Sequence, residues 1–142
     1  MPRPFQYALR RTLPPWSLKW RLKMLESVIG SWRLDEIVLN IDAEEFNHAQ
    51  LSMEWLDHYL PMLEEAKRRL EAQGARVSLN PWCTVCHHDN GRSGAEIIPD
   101  FQGMVDIGGE VSPSCSCQLS RSWRDHIGKI WRRYAALHPY AI

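Results

Sequence analysis

The feature that most constrains this chain is an alternation of two hydrophobic periods. Short β-branched runs are separated by longer segments whose apolar residues recur at helical spacing. Phe5-Gln6-Tyr7-Ala8-Leu9 reads as a first strand ending in Arg10-Arg11. Thr12-Leu13-Pro14-Pro15-Trp16 cannot be helix interior, because its two prolines remove amide donors and restrict the residues before them. Ser17 is placed to cap a helix carrying Leu18, Leu22, Leu25, Val28/Ile29 and Trp32 on one stripe. Residues 35–42, Asp-Glu-Ile-Val-Leu-Asn-Ile-Asp, form a second strand, apolar on both faces at its centre, as in a buried parallel strand. A second helix follows, with Leu56, Tyr59/Leu60, Leu63, the Lys67 stem and Leu70 inward, a capping-box start at Asn47 and Gln50, and a left-handed stop at Gly74.

Arg76-Val77-Ser78-Leu79-Asn80 reads as a third strand closed by Pro81. The stretch from Trp82 to about Leu119 is rich in glycine, proline, serine and cysteine. Met104-Val105-Asp106-Ile107 is its one apolar island, and composition predicts a long loop over 83–119. Ser120 caps a third helix with Trp123, Ile127, Ile130/Trp131, Tyr134 and Leu137 on its stripe. Pro139 ends it, and Tyr140-Ala141-Ile142 opens another strand.

Strands alternating with helices call for right-handed crossovers and a parallel sheet. No glycine-rich phosphate turn follows any strand, which weakens an open nucleotide-binding sheet. The expected fold is therefore α/β, a partial (β/α)8 barrel of about three and a half βα units, with residues 1–142 as one domain.

Charge excludes some functions. Seventeen basic residues balance seventeen acidic ones, so no global field favours nucleic acid or an anionic membrane. Lys67-Arg68-Arg69 and Arg132-Arg133 lie near helix C-termini, where they offset the helix dipole. No stretch is long and apolar enough to span a bilayer, and the first residues lack the apolar core of a signal peptide. The expectation is a cytoplasmic protein with reduced cysteines and no cofactor. Of the seven tryptophans, Trp20, Trp32, Trp55, Trp123 and Trp131 fall in helical segments and are expected in the core; Trp82 begins a loop.

Polar and aromatic residues gather just after the strands: Arg10 and Arg11, then Asp42, Glu44 and Glu45, then Asn80, Trp82, His87, His88 and Asp89. In a barrel these positions face the active-site mouth. Asp42 can accept hydrogen bonds from sugar hydroxyls, and Trp82 with Asn80 would combine a ring platform with an amide. His87 and His88 are neighbours whose side chains diverge, so one at most faces such a site. Each residue has a structural alternative: Glu44 and Glu45 can open a helix, Trp82 can pack beneath the loop, and Arg10 and Arg11 can pair with Asp42.

Phe5-Gln6-Tyr7-Ala8-Leu9-Arg10-Arg11, the strand Ile37-Val38-Leu39-Asn40-Ile41-Asp42 with Glu44-Glu45-Phe46, and the turn Asn80-Pro81-Trp82 together carry a likeness. The chain resembles the N-terminal part of bacterial TIM-barrel glycoside hydrolases, in the broad group with an acid/base on strand four and a nucleophile on strand seven. The resemblance implies a carbohydrate substrate, with Arg10, Asp42, Asn80, Trp82 and His87 as contacts. It places both catalytic carboxyls beyond Ile142, so none is assigned here. A partial barrel also leaves sheet edges through which chains can self-associate.

Cys83-Thr-Val-Cys86 and Cys115-Ser-Cys117 open an alternative, a small zinc-stabilised α/β interaction domain using all four thiols. The second half is C-x-C rather than C-x2-C, and unpaired reduced thiols are the favoured reading. Cys83 to His87 also matches the C-x-x-C-H haem attachment pattern, which requires export to an oxidising compartment.

Overall fold

A computed structural model describes residues 6–32, 34–41, 51–81 and 93–142. The protein is mixed α/β, with a three-stranded parallel sheet and a separate two-stranded antiparallel one. Residues group into two compact units: 1–41, 58–81 and 134–142 in the first, 42–57 and 82–133 in the second.

The first unit holds β1 (Ala8–Thr12), β2 (Glu36–Ile41) and β3 (Arg76–Pro81), in the order β1-β2-β3. The first strand lies later than its sequence suggests, so Arg10 and Arg11 are within β1 and not beyond it. An edge strand with one side free accommodates such exposed cations. Pairing is in register, with Leu9, Ile37 and Val77 on one rung and Arg11, Leu39 and Leu79 on the next of the same parity. Ile37, Leu39, Val77 and Leu79 are buried. Contrary to the expectation of two apolar faces, the opposite parity of β2 carries Glu36, Val38 and Asn40, of which only Asn40 is buried.

Helix α1 (Leu18–Trp32) buries Leu22, Leu25 and Ile29. Ser17 does not cap it: Pro14 and Pro15 start a 3-10 turn over Pro15–Ser17 that runs straight into the helix, and the Ser17 hydroxyl has no partner. Trp20 and Trp32 are not core residues either, being 67% and 74% exposed. Trp20 falls off the Leu22–Leu25–Ile29 stripe and Trp32 ends the helix. Helix α2 (Met53–Glu71) accommodates Pro61 and is capped by the Ser52 hydroxyl, which accepts from the Trp55 amide at 3.1 Å. The proposed caps Asn47 and Gln50 lie outside the described residues. Leu56, Tyr59, Leu63, Ala66 and Leu70 are buried, while the Lys67 stem is half-buried and its ammonium meets Glu71 at 2.8 Å. Gly74 adopts φ 88 just past the helix, the left-handed conformation that a side chain disfavours. The Arg69 guanidinium grips Glu26 through two bonds, at 2.8 and 2.7 Å, and so ties α2 to α1. Tyr59 donates to the Leu13 carbonyl at 2.6 Å, and burial pushes its phenol pKa well up.

Tyr140 and Ala141 lie along the far side of β3. The Tyr140 amide donates to Val77 O at 2.7 Å, and the Leu79 amide donates to Ala141 O at 2.9 Å, so the two segments run the same way. Arg76 fastens them: its guanidinium lies 4.3 Å from the Tyr140 ring centroid and donates to the phenol, to Asp35 O and to Gln6.

In the second unit, composition predicts a loop where residues 103–116 form a hairpin of β4 (Gly103–Val105) and β5 (Val111–Ser116). Two local devices permit it. Asp106 accepts from the amides of Gly108 and Glu110, and Gly109 has φ 87. A Cβ at Gly103 would lie 2.0 Å from Ser112 O, so only glycine fits there. Ser93 and Glu96 form a reciprocal capping box on a short 3-10 turn, Gly94–Glu96. Helix α3 (Arg121–Ala135) begins at Ser120, whose hydroxyl accepts from the Trp123 amide at 3.4 Å, as its sequence predicts. Ile127, Ile130 and Tyr134 are buried; Trp123 and Trp131, like Trp55 on α2, are only partly so. Among the described residues no helix is long and apolar enough to cross a membrane.

Candidate functional site

A parallel sheet places paired residues of neighbouring strands on the same face, about 4.8 Å apart. Three rungs therefore share the face opposite the apolar one: Ala8, Glu36 and Arg76; Arg10, Val38 and Ser78; Thr12, Asn40 and Asn80. Strand polarity puts the last rung at the C-terminal end, where the chain leaves each strand.

The side chains on these rungs are cross-linked. Arg10 Nη2 donates to Asn40 Oδ1 at 3.0 Å, bridging β1 and β2, and the Ser78 hydroxyl donates to Glu36 Oε1, bridging β3 and β2. Asn40 and Ser78 are buried at 4% and 3% exposure, whereas Arg10 and Asn80 are exposed. The result is a polar patch with fixed members beneath and accessible ones beside them. A guanidinium offers donors only, while an amide offers two donors and a carbonyl acceptor. Such a set matches a ligand rich in hydroxyls, each of which both donates and accepts.

Of the residues singled out from sequence, the sheet brings Arg10 and Asn80 onto one face, two strands apart. Asp42, Trp82 and His87 lie outside the described residues, as do Glu44, Glu45, His88 and Asp89. Sequence reasoning missed Glu36, Asn40 and Ser78. A strict period-two reading of β2 and β3 finds them, because Glu36 and Asn40, like Arg76, Ser78 and Asn80, recur at the parity opposite the apolar residues.

For the four-thiol alternative, Cys83 and Cys86 lie outside the described residues. Cys115 is on β5 and Cys117 just past it, both half-buried; the Cys115 amide donates to the Ser112 hydroxyl at 2.9 Å and the Cys117 amide to Gln102 O at 2.8 Å. No cluster of three or more candidate metal ligands occurs among the described residues.

Among its described residues, the second unit contains one buried titratable group that sequence did not flag. His126 on α3 is 6% exposed, and its Nε2 lies 2.8 Å from the Leu51 carbonyl. Desolvation lowers its pKa below the usual imidazole value; the bond to Leu51 opposes the shift, and Lys129 adds to it. An Nε2–H donor to that carbonyl satisfies the neutral ring, so the arrangement is a structural histidine.

The class defined by this geometry is an α/β protein with a parallel sheet whose two faces differ sharply in polarity. No family model, curated protein or solved structure matches the chain.

Proposed function

We propose that the chain is part of a carbohydrate-active (β/α)8 barrel, resembling the glycoside hydrolases, and that the polar face of its sheet binds sugar. The observation that carries this reading is the set Arg10, Asn40 and Asn80 on the face opposite the apolar one, with Asn40 and Asn80 on the rung nearest the strands' C-terminal ends and Arg10 bonded to Asn40. Barrel enzymes assemble their sites at that end. Strand order supports the barrel. In β1-β2-β3 each strand is added on the same side, and the Tyr140–Ala141 segment continues along β3 in the same direction. Right-handed crossovers then place every helix on one face, which leaves the other to become a barrel interior. Doubly wound sheets instead reverse direction at a switch point.

In this reading Asn80 and Arg10 hydrogen-bond hydroxyls, Asn40 holds the Arg10 guanidinium in place, and Trp82 supplies the ring platform. Asp42 and His87 complete the contacts from the segments that follow β2 and β3. None of these residues is assigned to bond cleavage.

Calorimetric titration with a panel of neutral oligosaccharides tests the proposal. At least one should bind saturably, and Asn80→Ala and Trp82→Ala should each weaken it about fivefold or more, the loss of roughly one hydrogen bond or stacking contact. Absence of binding across the panel, or binding unchanged in Asn80→Ala, would overturn it.

A further inference from the structure

A cavity of about 230 Å3 opens on the other side of β1, lined by Arg11, Thr12, Trp20, Arg21, Met24 and Leu25. We propose that it is a second binding site, for a small organic anion: a carboxylate or phosphate group carried on a single ring. The inference does not depend on the sugar reading, because Arg11 shares its rung with Leu39 and Leu79, on the face opposite Arg10.

Charge is the first argument. Among the described residues, two guanidinium residues line the cavity and no acidic side chain does. Outside the β1–β2 ladder, the Arg11 side chain has no hydrogen bond or ion pair with any described residue. Arg21 makes one bond, from Nη1 to Thr12 O at 3.0 Å, and its Nε is shielded from solvent without a partner. Three other arginines among the described residues do meet a carboxylate: Arg68 with Glu65, Arg69 with Glu26, Arg133 with Asp57. Two unmatched cations beside one concavity repel each other, and a bound anion relieves that repulsion while accepting from a guanidinium fork already held at one end.

Shape is the second argument. The indole of Trp20 is 67% exposed at the rim, and Leu25, fully buried, with Met24 forms an apolar floor. An exposed aromatic face beside an apolar floor accommodates a flat ring, while bare inorganic anions gain nothing from it. The volume equals roughly seven or eight water molecules of liquid, room for one ring and its acid group.

The test is calorimetric titration of the 142-residue chain with phenyl phosphate, benzoate, inorganic phosphate and benzyl alcohol, at low and physiological salt. Saturable binding of phenyl phosphate or benzoate is expected, with the stronger of the two identifying the acid group. Inorganic phosphate should bind more weakly, benzyl alcohol should not bind detectably, and salt should weaken the aromatic anions. Arg11→Gln, at an exposed position that leaves the core intact, should weaken binding about tenfold, the loss of a charge-assisted contact. Trp20→Ala should weaken the aromatic anions and leave inorganic phosphate unchanged. The proposal is overturned if neither aromatic anion saturates by about 10 mM, a negligible affinity. It is equally overturned if benzyl alcohol binds as well as they do, or if Arg11→Gln binds them like the parent chain.

Discussion

The two faces of the parallel sheet are built from the same strands, one residue out of phase, yet they follow different rules. One carries Ile37, Leu39, Val77 and Leu79, all essentially without exposure, with Arg11 at its exposed edge on β1. The other carries Arg10, Glu36, Asn40, Ser78 and Asn80, and two side-chain hydrogen bonds across the strands, Arg10 to Asn40 and Ser78 to Glu36, hold four of them. Burial of apolar surface is non-directional, so the four apolar side chains of the first face stabilise without specifying any ligand. Hydrogen bonds are directional and net little stability once water is counted, so a sheet face built from them contributes more to recognition than to folding. The second unit mixes the two rules: Leu51, Leu56, Ile98, Ile127 and Ile130 are buried there alongside Ser114, Ser116, Ser120 and His126.

The largest effect should come from breaking the apolar face. Leu39→Ala, at a fully buried central-strand position, is expected to lose about 2–5 kcal/mol of stability in denaturant unfolding. A loss no greater than that of a surface substitution would mean that this face is not the core.

Acid carries the comparison into the second unit. His126 has a lowered pKa, so the unfolded chain takes up its proton at a higher pH than the folded one. Its contribution is complete above the usual imidazole range and is lost as pH falls from there toward the folded-state pKa, with a slope of at most about 1.4 kcal/mol per pH unit. His126→Gln should flatten this part of the stability profile; an unchanged profile would show that the ring does not titrate differently on folding.

Smaller still is Asn40→Ala. It removes the acceptor of Arg10, whose exposed guanidinium can return to water, and should cost about 1 kcal/mol in the same unfolding assay. A loss as large as that of Leu39→Ala would erase the distinction between the faces.

Much of this architecture was legible in the sequence. Helices α2 and α3 and strand β3 show clean periods, because each buries a continuous apolar stripe; β2 is legible as a strand, but Val38 between Ile37 and Leu39 hides which of its faces is polar. The start of β1 was misread, since Arg10 and Arg11 look like a strand's end when in fact an edge strand carries them. The hairpin was invisible to hydrophobic patterning: it rests on Gly103, Gly109 and the Asp106 carboxylate, which composition alone assigns to a loop. Of the polar face, Asn80 and Arg10 stood out by position. Glu36, Asn40 and Ser78 did not, because they sit inside strands where attention goes to the apolar parity.

The most direct test of the division between the faces is a chemical-shift titration with the oligosaccharide that binds best, read at side chains and amides of the sheet. The account predicts saturable shifts at Arg10, Asn40 and Asn80, none at the methyls of Leu39 or Leu79, and a melting temperature in Asn80→Ala that matches the parent chain, its exposed side chain being worth within about 0.5 kcal/mol of stability. Shifts confined to other parts of the chain, or an Asn80→Ala protein destabilised as severely as Leu39→Ala, would contradict it.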